Sequence, residues 1–183
     1  AELLNEALPG DLPMFVEENH FYFMKDSYFR DFPEAGLMPN KIIVNNAVHD
    51  RPAYFALRDS TDPEILWFIP ISSKISKYKR IAEEKKRKFG RCDTIVFGDI
   101  LGHECAFLIQ NMCPITSRYI ENEYMDHNHY PVRIPYRLEK TLSKKVRRIL
   151  LLEGQGKRIT FSNVMKIKHD MLERAKTSKA PSA

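Results

Sequence analysis

Ser72 and Ser73 stand where an apolar run, Trp67-Phe68-Ile69-Pro70-Ile71, gives way to a basic one that opens with Lys74 and continues through Lys77, Lys79 and Arg80. Two hydroxyls beside ammonium groups suit a phosphate, since together they donate hydrogen bonds and balance charge without a metal. The same residues also read as a buried strand, a Ser-rich turn and a solvated basic helix. A second cluster, His49-Asp50-Arg51-Pro52, immediately precedes the apolar segment Ala53 to Leu57. If that segment pairs antiparallel with Ile65 to Ile71, the start of one and the end of the other share a rim. His49 and Arg51 then face Ser72, Ser73 and Lys74. The plainer alternative is a loop histidine and an exposed charge.

Other chemistries find less support. His127 and His129 alternate in Asp126-His127-Asn128-His129 without further ligands at zinc spacing, so a polar loop and no metal is expected. Neither serine lies in a G-x-S-x-G elbow, and no glycine-rich phosphate loop is present, so no nucleotide cofactor is expected. The three cysteines, Cys92, Cys105 and Cys113, show no C-x-x-C spacing and fit a reducing compartment. No run approaches the ~18 apolar residues of a membrane span, and no secretory signal opens the sequence. The expectation is a soluble, cytoplasmic protein with no membrane partner.

The elements that must position these residues are mostly short. His20 to Met24, Ile42 to Val44, Ala53 to Leu57, Ile65 to Ile71, Thr94 to Phe97 and Cys105 to Ile109 read as strands parted by turn-forming groups such as Asp59-Ser60-Thr61-Asp62-Pro63. Asp26 is expected to cap a short helix that Pro33 ends. Lys74 to Phe89 reads as a surface helix stopped by Gly90, with Ile75, Tyr78, Ile81 and Ala82 on one face. Leu138, Leu142, Val146 and Ile149 recur at helical spacing across Arg137 to Leu152, and a last helix begins after Ser162 as N-cap, with Val164, Ile167, Met171, Leu172 and Ala175 facing inward. With 183 residues and 43% apolar content, one domain over residues 20–176 is expected, preceded by an extension over 1–19 and followed by a frayed tail over 177–183. Fold class α+β follows, as a compact, mainly antiparallel sheet or half-open β-barrel with surface helices and two C-terminal helices.

The chain carries 29 basic against 24 acidic residues, but the clustering says more. Lys77, Lys79, Arg80, Lys85, Lys86 and Lys88 crowd one predicted helix, and Lys144, Lys145 and Arg148 the outer face of another. Such surfaces track a nucleic-acid backbone, and Tyr78, Phe89 or Tyr119 would offer stacking surfaces for bases.

Four segments occur in a telling order: Phe21-Tyr22-Phe23 leading to Tyr28-Phe29; Arg51-Pro52-Ala53-Tyr54-Phe55; Pro70-Ile71-Ser72-Ser73; and Leu108-Ile109-Gln110-Asn111-Met112-Cys113-Pro114-Ile115. In these, and in the two C-terminal helices, the chain resembles the ToxN/AbiQ endoribonuclease toxins of type III toxin–antitoxin and phage-abortive systems over roughly residues 20 to 175. The resemblance implies a barrel-like sheet of the MazF/Kid kind and metal-independent RNA cleavage. As partners it implies a repeat RNA antitoxin and target mRNA, often in a closed protein–RNA ring. The family's hydroxyl pair falls on Ser72 and Ser73. Its following lysine falls at Ile75, so Lys74 or Lys77 must take that role. A family tyrosine falls near His49 and a family lysine at Ala53, where His49 and Arg51 supply similar chemistry. The resemblance thus implies His49, Arg51, Ser72, Ser73 and Lys74 as the catalytic set. Two alternatives stay open, a non-catalytic RNA- or DNA-binding protein and a toxin neutralised by a protein antitoxin through residues 1–19.

Overall fold

The structure, a computed structural model, describes residues 15–33, 38–44 and 46–179. Among them the elements run β1 (Phe21–Met24), α1 (Asp26–Asp31), β2 (Lys41–Val44), β3 (Ala47–Asp50), β4 (Pro52–Arg58), β5 (Leu66–Ser72), α2 (Ile75–Phe89), β6 (Ile95–Ile100), β7 (His103–Leu108), β8 (Cys113–Ile115), β9 (Ile120–Glu123), α3 (Tyr136–Gly154) and α4 (Val164–Lys179). The expectations for residues 1–14 and 180–183 lie outside the described residues.

The sheet is organised around β5, every residue of which is buried. One edge pairs antiparallel with β4, from Ala53↔Pro70 to Arg58↔Leu66. The other edge is divided. Leu66, Trp67 and Phe68 pair with β8, whereas Ile71 and Ser72 pair with β7. Pro70, which has no N–H to give, falls in the gap between those two partners, which is how a proline is accommodated in a central strand. The full path is β6-β7-β5-β4-β1-β9, with β8 beside it, and β2–β3 forms a separate hairpin.

This path is open at both ends, because β6 and β9 do not pair with each other. The α+β class and mainly antiparallel sheet expected from the sequence are present, and among the described residues the sheet is not closed into a barrel. The sheet is strongly curved nonetheless. Phe21 on β1 and Phe107 on β7 bring their ring centroids to 6.3 Å, although three strand spacings, about 14 Å if flat, separate their strands. Converging aromatic side chains of this kind, with Tyr54 between them at 5.2 and 5.7 Å, fill the concave side.

The helices bury the faces that their periodicity indicates. Leu142, Val146 and Ile149 of α3, and Val164, Ile167 and Met171 of α4, all lie in the main core. Leu172 and Ala175 are half-buried. Tyr78 and Ala82 of α2 cover Ile95, Ala106 and Leu108 in a smaller cluster. Gly90 ends α2 in the left-handed region at φ +79°, its N–H bonded to the Lys86 carbonyl oxygen at 2.8 Å. One cap differs from expectation. Lys25 occupies the N-cap of α1, and Asp26 instead accepts from Asn40 Nδ2 at 2.9 Å. At the start of α4 Asn163 Oδ1 takes the Lys166 N–H at 3.2 Å. No helix among the described residues is long and apolar enough to cross a membrane.

Candidate active site

β5 delivers its last residue, Ser72, to the edge of the core at 7% exposure. Its Oγ turns back to accept the Lys74 N–H at 3.2 Å, and the Ser73 carbonyl accepts the Ile75 N–H at 2.9 Å. These two bonds fold the chain from strand into helix. Ser73 and Lys74 are left exposed at the N-terminus of α2. No acidic residue sits in the first turn of α2, and no side chain caps it. The free amide hydrogens and positive end of the helix macrodipole therefore point toward the serine pair. That feature was not read from the sequence, although a Ser-Ser-Lys triplet ahead of a helical segment signals it.

The antiparallel pairing of β4 with β5 sets Arg51 at the same rim. Arg51 stands between β3 and β4, and its N–H donates to the Asn40 carbonyl at 2.7 Å. Its Nε donates to the Pro39 carbonyl at 3.0 Å and its Nη1 to the Ile71 carbonyl at 2.7 Å. The guanidinium is thus clamped one residue from Ser72, entirely by neutral carbonyl oxygens. Burial pulls its pKa down from the ordinary arginine value, with nearby Tyr78 acting in the opposite direction. Among the described residues no carboxylate neutralises it. A half-buried cation held this way keeps its charge available to an incoming anion.

His49 is brought less close. It lies on β3, opposite Ile42, and all four β3 residues are exposed. The structure therefore joins Arg51, Ser72, Ser73 and Lys74 at one rim and leaves His49 on the adjoining hairpin, two residues upstream of Arg51. Asn40 is a site residue that the sequence did not reveal. Buried at 9% exposure, it donates to the Met24 carbonyl at 3.0 Å and supports Arg51 through its own carbonyl oxygen.

The cations read as an RNA track fall into two groups. Lys77, Arg80, Lys88, Lys144 and Arg148 are exposed. The others are engaged: Lys79 with Glu104 at 3.0 Å, Lys86 with Glu83 at 3.1 Å and Lys145 with Asp93 at 2.8 Å. Lys85 turns inward to Thr94 Oγ1 at 2.8 Å and Gln110 Oε1 at 2.7 Å. Of the three candidate stacking rings, Tyr78 and Tyr119 are buried and Phe89 alone is exposed. His127 and His129 occupy a turn closed by Asp126 Oδ1, which accepts from the N–H groups of Asn128 and Tyr130. Among the described residues no group of three or more His, Cys, Asp or Glu side chains is arranged to hold a metal ion.

An open, curved antiparallel sheet with its hydroxyl pair at the head of a basic helix defines the structural class. No protein-family model matches the chain, and no curated protein sequence does. Among solved structures the same fold occurs in AbiQ, a lactococcal anti-phage endoribonuclease belonging to the type III toxin–antitoxin system. The likeness has a TM-score of 0.61 and covers 87% of this chain and 99% of AbiQ, at 14% sequence identity. The resemblance to the ToxN/AbiQ family read from short motifs therefore holds at the level of the fold.

Proposed function

We propose that this chain is an endoribonuclease toxin of a type III toxin–antitoxin or phage-abortive system, acting on mRNA without a metal and restrained by a repeat RNA antitoxin. The observation that carries the reading is the Arg51 guanidinium bonded to the Ile71 carbonyl, beside two hydroxyls at an uncapped helix N-terminus. That arrangement suits a phosphodiester, and the AbiQ fold supports RNA as its source. The ribose 2′-hydroxyl attacks the adjacent phosphorus, the P–O5′ bond breaks, and the products are a 2′,3′-cyclic phosphate and a 5′-hydroxyl. One proton leaves the 2′-oxygen and one reaches the departing 5′-oxygen. His49 is the residue proposed to exchange them, since an imidazole can both accept and donate a proton and its hairpin borders the rim. Ser72 and Ser73 donate to the non-bridging oxygens, while Arg51 and Lys74 balance the charge that develops there. Lys77, Arg80, Lys88 and Lys144 carry the RNA backbone, with Lys79, Lys86 and Lys145 contributing once freed from their carboxylates.

The test is incubation of purified protein with RNA in excess chelator, followed by analysis of the ends. Cyclic-phosphate termini, and a Ser73→Ala variant that cuts about 100-fold more slowly, are expected. Cleavage by Ser73→Ala within twofold of wild type removes the serine assignment. Binding without cleavage under any condition leaves a nucleic-acid-binding protein in its place.

A further inference from the structure

The far end of α2 borders a second cavity of about 480 Å³, formed against the C-terminal half of α3 and the turn that follows it. Its cations are Lys85, Arg91, Arg148 and Arg158. One carboxylate also faces it, Asp93, but this is already held by Arg91 at 2.6 Å and Lys145 at 2.8 Å. Arg148 also lies within the field of Asp93, but among the described residues Lys85 and Arg158 have no carboxylate partner. The half-buried Lys85 ammonium is bonded only to neutral oxygens, of Thr94 and Gln110, and retains a third hydrogen. A cation withdrawn from water without a counter-charge is costly unless an anion completes the site.

Apart from Thr94 and Cys92, the rest of the lining is apolar. Ile149, Leu152 and Ile159 form one wall. Phe89 stands at the lip with 66% of its surface in solvent, at a helix end where nothing else in the core requires it. The cleft therefore offers a flat apolar slot beside a cationic pocket, at a size typical of small-molecule and nucleotide sites. A nucleotide, with its planar base and single phosphate, matches both halves.

We infer that this cleft is a nucleotide subsite for single-stranded RNA, remote from the scissile phosphate and engaged by the same strand. The inference rests on the RNA reading of the Ser72 rim and extends it. The two places are joined by α2, whose 15 residues span about 21 Å. Lys77 and Lys88, eleven residues or about three turns apart, lie on one face of that helix and line the way between them. A strand gripped at the serine pair reaches the cleft after several nucleotides, where its base stacks on Phe89 and its phosphate meets Lys85 and Arg158. Substrates too short to span α2 lose this contact.

The experiment measures binding of 2′-O-methyl oligoribonucleotides, which lack the attacking hydroxyl, to the full chain. A trinucleotide, a strand of about ten residues, of the order of single-strand site sizes, and a free nucleoside monophosphate are compared. Wild-type protein is expected to bind the long strand more tightly than the trinucleotide. Phe89→Ala should shrink that length advantage about tenfold, the usual loss for one stacked base. Arg158→Ala should lower the salt dependence of long-strand binding by about one phosphate contact. Both side chains are exposed, and thermal melts check that the variants stay folded. A length advantage and salt slope unchanged in both variants, with RNA still bound and cut, overturns the subsite while leaving the active site standing. A monophosphate that binds as tightly as the long strand also overturns it, in favour of a free-nucleotide site. Failure of the folded protein to bind or cut any strand removes the RNA reading itself, and the subsite with it.

Discussion

Arg51 Nη1 lies 2.7 Å from the carbonyl oxygen of Ile71, so the guanidinium just ahead of β4 is fastened to the backbone of β5, directly before Ser72. The bond makes the position of the cation a consequence of strand register. Because Ala53 pairs with Pro70, Arg51 is carried to the end of β5 whatever the surrounding loops do. Backbone carbonyls hold the side chain and, among the described residues, no carboxylate cancels it, which is how a charge is kept for a ligand.

Arg51→Lys should therefore be nearly as damaging as Arg51→Ala. A lysine ammonium is a single point on a flexible stem and does not reach the Pro39 and Ile71 carbonyls together as Nε and Nη1 do. Either change is expected to reduce RNA cleavage about 100-fold, the usual loss for one charge-stabilising donor. Single-turnover rates measured beside thermal melts separate this from unfolding. An Arg51→Lys enzyme within threefold of wild type would show that the carbonyl clamp has no part in catalysis.

The strands that gave the clearest sequence signals are those that position the serines. Ala53 to Leu57 and Ile65 to Ile71 are continuous apolar runs around a turn rich in Asp and Pro, and they form β4 and β5 within a residue or two. β3, β8 and β9 were missed because their sequences, Ala-Val-His-Asp, Cys-Pro-Ile and Ile-Glu-Asn-Glu, have little strand character of their own. Pairing with β2, β5 and β1 makes them strands. Curvature was equally hidden, since it depends on distant rings such as Phe21 and Phe107 meeting.

The basic cluster is not a uniform outer face. Tyr78, Ala82, Lys85 and Phe89 follow one another at steps of four, three and four, so the helical period places Lys85 on the inward side. Lys145 similarly lies one turn from the buried Leu142. The carbonyl acceptors of Arg51 left no trace in the sequence at all, because backbone oxygens are common to every residue.

Cys113 offers a chemical probe of global unfolding. It is 3% exposed, and burial pushes its thiol up to about 12, with Tyr28 drawing it slightly down. Alkylation at pH 8 should modify Cys92 first, Cys105 more slowly and Cys113 only when the chain unfolds. Burial, helped by Asp99 and Glu104, also raises the Cys105 thiol. Mass spectrometry of a native time course, repeated in urea, checks the order. Rapid native labelling of Cys113 would mean that the β5–β8 edge opens on its own.

The final prediction concerns acid stability and the contact that fixes α4 to the sheet. Lys168 Nζ lies 3.1 Å from Asp59 and 2.9 Å from Asp62, and the Asp59 carboxylate also accepts from Trp67 Nε1 at 2.9 Å. Burial raises the Asp59 pKa, but the N–H groups of Asp62 and Thr61, the Trp67 indole and the Lys168 ammonium outweigh it, and the net shift is downward. A carboxyl depressed on folding adds stability above its unfolded value, near pH 4, and that stability is lost as pH falls through the lower folded value. Lys168 is shifted up, so its share is present at neutral pH and lost only as strong alkali passes its raised value. Asp59→Ala should cost about 3 kcal/mol at pH 7, by leaving the Trp67 indole and the Thr61 and Asp62 N–H groups without their acceptor and Lys168 with Asp62 alone, and lower the melting temperature by roughly 9 °C. Asp59→Asn should retain part of the hydrogen bonding while flattening the fall in stability below pH 4. Trp67 is the only tryptophan, so its fluorescence during urea melts from pH 7 to pH 3 reads the contact directly. A wild-type stability that stays level across that range would show that the Asp59 contact adds no acid-sensitive stability, and a fall that Asp59→Asn leaves equally steep would assign the acid sensitivity to other carboxylates.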